Sequence, residues 1–342
     1  MQEFEIDYRG VLREYGGRSE HVKVPEDVTY IGSFAFVARK FMKSVELPEY
    51  TMHIMKSAFL GCKGLESVTM SEYLPDIGEC AFGGCASLKH IHLPKHLEKI
   101  GKEAFYGSGL EEISIPDSVQ ELGEGAFQYC QNLKSVKLPA GLTKIPKNTF
   151  FGCDMLSEIT IPETVTKIEA GSFYRCISLK ELYLPDNIDY INQNAIDYAE
   201  PVQIIYHGIR FSTVAEQNQP VSCSDGVDMI KNYDFHINIF VCEKVRILIQ
   251  MLRKTPQDRR LTEYLRTGYV KLMRVMIKEN FIESITEFAS AGELIQKEHI
   301  DDLIRYAIDS ERTEIQVFLT NYKREHFGFE SIEERAKRLL LE

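Results

Sequence analysis

Ile77-Gly78-Glu79-Cys80-Ala81-Phe82-Gly83-Gly84-Cys85-Ala86-Ser87-Leu88-Lys89-His90-Ile91-His92-Leu93-Pro94 is one unit of a pattern that runs through more than half of the chain. Its Ala-Phe pair returns as Ala35-Phe36, Ala58-Phe59, Ala104-Phe105 and Ala126-Phe127, and in altered form as Thr149-Phe150 and Ser172-Phe173. The phenylalanines at 36, 59, 82, 105, 127, 150 and 173 are 23 residues apart, except for one step of 22 between Phe105 and Phe127. Ala195-Ile196 is a final echo.

A second landmark keeps the same phase. An aliphatic residue precedes proline at Val24-Pro25, Leu47-Pro48, Leu93-Pro94, Ile115-Pro116, Leu138-Pro139, Ile161-Pro162 and Leu184-Pro185, and Met70-Ser71 fills the remaining slot. Before each full repeat's proline runs Leu-x-x-Ile-x-Leu, as in Leu88, Ile91 and Leu93 or Leu156, Ile159 and Ile161; after it comes a further aliphatic pair such as Val165 and Ile168.

The x-Ile-x-Leu segment alternates, so it reads as a short strand with Ile and Leu facing inward. One such strand cannot bury its own apolar face, whereas stacked parallel coils share a continuous core. Proline fits just past the strand, where no ladder hydrogen bond is needed. The phenylalanines are expected to form an internal aromatic ladder on the opposite wall of each coil.

The full phrase Ile-Gly-x-x-Ala-Phe-x-x-Cys-x-x-Leu-x-x-Ile-x-Leu-Pro resembles the Treponema pallidum-type, or BspA-like, leucine-rich repeat, over residues from about 22 to 200. The segment Tyr8-Arg-Gly10-Val-Leu-Arg-Glu-Tyr15-Gly-Gly17 is similar to the hairpin that precedes such arrays. The chain departs from the pattern at the deletion in Tyr106-Gly107-Ser108-Gly109 and at Ser71. The resemblance implies a leucine-rich-repeat solenoid with parallel β-strands, about eight repeats of 23 residues; with the all-α helical-repeat domain read from the apolar period beyond it, the expected class is α+β. The expected divisions are a capping hairpin over 1–22, the solenoid over 23–216 and a helical domain over 225–342.

Five of the eight cysteines, Cys62, Cys85, Cys130, Cys153 and Cys176, occupy one repeat position. They are expected to form a stacked, buried row, each thiol donating weakly to backbone at the turn after the strand. Parallel side-chain directions disfavour disulfides between neighbours, and no Cys-x-x-Cys pair is present. His90 and His92 flank an inward Ile91 and point outward, so two imidazoles could hold a metal; no third ligand is fixed beside them by the motif, and a solvated strand face is the expectation.

No nucleotide-binding glycine loop, nucleophile elbow or His-Glu-x-x-His signature occurs, and the chain has no Trp. The expectation is a protein without catalytic residues and without cofactors. A formal net charge of −11 opposes nucleic-acid binding, which requires basic surface, and no apolar run approaches the length needed for membrane insertion. The acidic start, Met1-Gln-Glu-Phe-Glu, lacks a signal peptide's basic region, and the unpaired-looking cysteines suit a reducing compartment. These features favour a cytoplasmic location, with the cell surface or secretion left open should the chain be a trimmed fragment.

If Ile91 and Leu93 face inward, the residues between them and their equivalents face out: Glu46, Thr69, His92, Ser114, Lys137, Thr160 and Tyr183. The preceding outward row holds Ser44, Ser67, His90, Glu112, Ser135, Glu158 and Glu181. Seven adjacent strands would make a concave strip about 30 Å long, enough for a protein segment.

A last strand is expected near Val202–Tyr206, and Gln217–Asp225 reads as a linker. Beyond it the apolar period lengthens to about 3.6, with stripes at Val245, Leu248, Ile249 and Leu252, at Leu272, Val275 and Met276, and at Leu303, Tyr306 and Ala307. Thr255-Pro256 reads as a helix start. Leu272–Lys278 aligns with Leu303–Asp309, and paired helices at this spacing resemble degenerate ankyrin repeats, although the ankyrin Thr-Pro-Leu-His is absent. A helical cap on the solenoid is the plainer reading.

The leading expectation is a non-catalytic protein–protein interaction module that binds a protein partner through the concave solenoid face, the helical end or both. The alternative, implied by the BspA-like resemblance, is a bacterial surface adhesin for a host matrix protein. An enzyme with an unrecognised site is the third reading. The partner's identity and the oligomeric state are not set by these residues.

Overall fold

The computed structural model describes residues 3–196, 200–214, 220–232, 234–235, 239, 241–292 and 294–328. The chain divides into two compact units, one of residues 1–214 with 222–224 and one of residues 215–221 with 225–342.

The first unit is a parallel-strand solenoid that opens on an antiparallel hairpin, β1 (Phe4–Ile6) and β2 (Val11–Tyr15). Each coil then contributes strands to two walls. The Leu-x-x-Ile-x-Leu segments give β3 (His21–Lys23), β5 (Ser44–Glu46), β7 (Ser67–Thr69), β10 (Glu112–Ser114), β12 (Ser135–Lys137), β14 (Glu158–Thr160) and β16 (Glu181–Tyr183). The aliphatic pair after each proline gives β4 (Tyr30–Ile31), β6 (His53–Ile54), β8 (Asp76–Ile77), β9 (Lys99–Ile100), β11 (Glu121–Leu122), β13 (Lys144–Ile145), β15 (Lys167–Ile168) and β17 (Tyr190–Ile191). The strand expected near Val202–Tyr206 is β18 (Gln203–Tyr206); an antiparallel partner, β19 (Ile209–Ser212), follows it.

The continuous strip of seven strands is corrected by the pairing. The first wall is three separate sheets, β3-β5-β7, β10-β12-β14 and β16-β18-β19. Residues 89–94 form no strand, so His90, Ile91 and His92 fall in the first interruption, in the coil next to the one shortened at Tyr106–Gly109. The second lies between β14 and β16.

The longer sheet is the second wall, which the sequence pattern did not announce as strand: β1-β2-β4-β6-β8-β9-β11, seven strands in a row, then β13-β15-β17. Along it, the residue after each strand donates its backbone N–H to the previous coil: Gly32 to Leu12, Met55 to Ile31, Gly78 to Ile54, Gly101 to Ile77 and Gly123 to Ile100. The next residue in this series is Pro146, which has no N–H, and there the sheet is interrupted. Glu169 and Asn192 resume the series.

Between the walls runs the aromatic ladder. Phe36, Phe59, Phe82, Phe105, Phe127, Phe150 and Phe173 are fully buried and near-parallel, with ring centroids 4.8 Å apart at Phe36–Phe59 and 5.8 Å at Phe127–Phe150. Tyr15 and Phe4 of the hairpin extend it, at 5.2 and 5.1 Å. The chain turns around each ladder phenylalanine through two left-handed residues, two before and two after it, such as Glu103 and Gly107 around Phe105. This puts the Phe N–H in line with the next coil, where Phe105 donates to Ala126 at 2.8 Å.

The second unit is all α among its described residues: most of α1 (Cys223–Asn232), then α2 (Val241–Lys254), α3 (Arg259–Lys278), α4 (Ile282–Ser290), α5 (Lys297–Asp309) and α6 (Thr313–His326). Residues 217–219 of the expected linker lie outside the described residues, and from Cys223 onward the segment is helix rather than linker. Pro256 does not open a helix: it lies in the turn after α2, and Asp258 caps α3 by accepting the N–H groups of Arg260 and Leu261. Val275 is not a core residue but 40% exposed, while Leu272 and Met276 are buried.

The helical duplication is written in the backbone. Asn280 and Glu311, 31 residues apart, both adopt left-handed conformations, at φ 63° and 57°. The following N–H groups close the same loop, Phe281 to Met276 and Arg312 to Ala307, both at 2.9 Å.

Candidate functional site

The alternation along the first wall turns the middle residue of each three-residue strand inward, buried in all but β14, and turns its neighbours outward. Glu46, Thr69, His92, Ser114, Lys137, Thr160, Tyr183, Glu112 and Glu158 are all exposed, Tyr183 at 54%. They do not form one surface. Glu46 and Thr69 belong to the first sheet, and His92 to the interruption. Ser114, Lys137 and Thr160, with Glu112 and Glu158, share the sheet β10-β12-β14, and Tyr183 belongs to the last sheet.

The middle sheet carries a depression of about 490 Å³, bounded by His90, Glu112, Ser114, Lys137, Glu158 and Thr160, with the aliphatic residues Ile91 and Ile159 half-buried in its lining. Lys137 pairs in register with Thr160, and Ser135 with Glu158, so Lys137 and Glu158 are diagonal neighbours on adjacent strands. Neither has an ion-pair partner among the described residues. The charges to either side are engaged: Glu46 with Lys23 at 3.2 Å, Glu112 with His90 at 3.7 Å, and Glu181 with Arg210. Hydrogen bonds from Arg210 and Tyr183 hold the Glu181 carboxyl below its ordinary value.

The remaining candidates resolve locally. His90 lies near Glu112, and His92 lies 3.9 Å from Glu72. Among the described residues, no group of three or more His, Cys, Asp or Glu side chains is placed to hold a metal. Cys62, Cys85, Cys130, Cys153 and Cys176 are buried, and their Sγ atoms donate to the carbonyls of Phe36, Phe59, Phe105, Phe127 and Phe150. The acceptor is therefore the ladder residue of the preceding coil, not the turn after the strand. Burial pushes the Cys62 thiol up to about 11 and Cys130 to about 12. In the shortened coil, Ser108 stands in the row and its hydroxyl contacts Cys130 Sγ at 3.2 Å.

Sequence reasoning passed over two outward rows. On the second wall Tyr30 stacks on His53, which pairs with Asp76, and Lys99 meets Glu121 at 2.9 Å. Two residues past the proline slots, Tyr50, Tyr73 and His96 form an exposed ladder with centroids 6.4 and 6.3 Å apart. Neither row keeps one residue type: Tyr30, His53, Asp76, Lys99 and Glu121 share only their place before the inward aliphatic residue, and Tyr50, Tyr73 and His96 share only an aromatic ring two residues past the proline slot.

The model of the BspA type leucine-rich repeat region matches this chain in six copies, over residues 15–134 and 98–217. The chain belongs to the BspA-type leucine-rich-repeat family. Proteins of this repeat family are typically interaction or surface proteins and are generally non-enzymatic. Among solved structures, the chain is similar to the leucine-rich-repeat protein of T. pallidum, with 32% identity over 52% of this chain and 86% of that one, at a TM-score of 0.49. It is also similar to a leucine-rich-repeat protein from Bacteroides ovatus, with 23% identity over 61% and 71% of the two chains and a TM-score of 0.48. The pneumococcal vaccine antigen PcpA matches at 20% identity over 57% and 74%, with a TM-score of 0.29. No curated protein matches this BspA-type chain. Among its described residues, no helix is long and apolar enough to cross a membrane.

Proposed function

We propose that this BspA-type chain is a non-catalytic module that holds a protein partner across the sheet β10-β12-β14. The observation that carries this reading is the pair Lys137 and Glu158, two charges of opposite sign left without partners on the rim of a depression with half-buried aliphatic residues in its lining. Such a pair would orient an extended segment bearing complementary charges. Ser114, Ser135 and Thr160 add hydroxyls to the same surface. The paired helices α3–α4 and α5–α6, with their repeated loop, support an ankyrin-like unit that offers a second protein-binding surface.

The test is cross-linked capture with the full chain and the charge-reversed variant K137E/E158K, on intact source cells and on their lysate. Partners lost by the variant, with thermal unfolding unchanged, support binding at this sheet. An unchanged partner set removes the sheet from consideration. Partners captured only from intact cells favour the surface-adhesin reading; partners captured only after lysis favour an intracellular scaffold.

A further inference from the structure

At the start of the solenoid, a cavity of about 570 Å³ lies between the chain leaving the hairpin, around Tyr15–Ser19, and the loop Ala38–Met42 of the first coil. Its exposed cations are not among those that pair between neighbouring coils. Along the array, Lys43, Lys56, Lys89, Lys99, Lys134 and Lys144 each meet a carboxylate on a neighbouring coil. Arg18 and Lys40, both lining the cavity and both exposed, have no ion pair among the described residues.

Arg39 is the third cation, and it stands where the thiol row begins. It lies three residues after Phe36, the offset at which Cys62, Cys85, Cys130, Cys153 and Cys176 follow their own phenylalanines. A guanidinium thus takes a position that other coils give to a small buried group. One of its terminal nitrogens reaches Glu14 at 3.1 Å, while its buried Nε has no hydrogen-bond partner. That Nε is sealed from solvent, so a ligand would meet the terminal nitrogens of the half-exposed guanidinium, whose planar array suits a two-oxygen acceptor. The bordering carboxylates are occupied: Glu14 by Arg39, Glu3 by the Tyr15 hydroxyl at 3.2 Å and Glu20 by Lys43. Beside the cations, Phe41 is 78% exposed.

We infer that this cavity binds an oxyanion group, carboxylate or phosphate, carried on a small apolar body. Arg18, Arg39 and Lys40 take the anion, and Phe41 with Ala38 covers the apolar part. The site is separate from the β10-β12-β14 sheet and stands independently of the function proposed there.

Calorimetric titration of the full chain with phenyl phosphate, phenylacetate and the neutral benzyl alcohol tests the inference. Saturable binding of at least one anion below about 10 mM is expected, weakening with added salt, with no binding of the alcohol. The variant R18Q/K40Q, altered only at exposed positions, is expected to lose about tenfold or more in affinity while keeping its thermal midpoint. Preference between the two anions identifies phosphate or carboxylate as the natural group. The inference is overturned if neither anion binds in that range, if benzyl alcohol binds as well as the anions, or if R18Q/K40Q binds as tightly as the parent.

Discussion

Gly123 donates its backbone N–H to the carbonyl of Ile100 at 2.8 Å, and Pro146, one coil later, has no N–H to offer Leu122. That single missing donor coincides with the break between β11 and β13 in the second wall. The solenoid continues across the break because Gly125 still donates to Lys147, and Phe127 to Thr149.

Replacing Pro146 by Ala supplies the donor. The new hydrogen bond contributes about 1 kcal/mol, offset by about 0.4–1 kcal/mol from the freer unfolded chain, so little change in stability is expected. The readout is amide exchange: the new N–H at 146 should be protected as strongly as that of Gly123. Exchange at the rate of an open loop would show that Leu122 is out of reach and that proline is not the cause of the break.

The ladder should dominate stability. Phe127→Ala removes a ring stacked on both sides, on Phe105 at 5.4 Å and Phe150 at 5.8 Å. A loss of about 3–5 kcal/mol in urea unfolding is expected. Tyr50→Ala, in the exposed outer row, should stay within about 0.5 kcal/mol. Equal effects would mean that the outer row is structural too.

Glu111 accepts from Lys134 at 3.0 Å and from Lys89 at 3.1 Å, and hydrogen bonding to these two ammonium groups, Lys134 first, lowers its pKa to about 2 from 4.5. A carboxyl depressed in the folded state stabilises fully above its unfolded value and loses that contribution as pH falls through the folded value. The difference in thermal midpoint between the parent and E111Q should therefore be constant above about pH 5 and close between about pH 4.5 and 2, and it should shrink in high salt. A gap that persists at pH 2 would assign the effect to packing rather than charge.

The two helical loops should respond unequally to glycine. Glu311 holds a left-handed conformation that costs a side-chain-bearing residue about 1 kcal/mol, so Glu311→Gly is expected to stabilise by about that amount. Asn280→Gly should yield less, because asparagine tolerates this region better. Chemical denaturation of the two variants decides the order, and a destabilised E311G would mean that its side chain contributes more than the strain.

Much of the first unit was legible because a repeat states each fact many times. Phe36 through Phe173 and Cys62 through Cys176 recur in phase, and a residue seen at one offset in coil after coil has one environment. The second wall was harder to read. Its strands are two residues long, as in Lys99–Ile100, too short for any alternation to show, and only stacking makes them strands. Pro256 was misread because proline suits both the first turn of a helix and the turn before one; the cap at Asp258 decides between them.

By itself, the sequence determined the 23-residue period, the residues that face the core and the family, since alternation and recurrence are properties of the chain alone. Which outward residues share a surface was decided by the tertiary structure. Lys137 and Glu158 remain unpaired while Lys89, Glu111 and Lys134 join, although all are charged residues at repeat-related positions. The cavity beside Arg39 exists because the hairpin and the first coil meet there. Periodicity sets the direction of a side chain; distances between coils, which follow from packing and from donors such as the one Pro146 lacks, set what it meets.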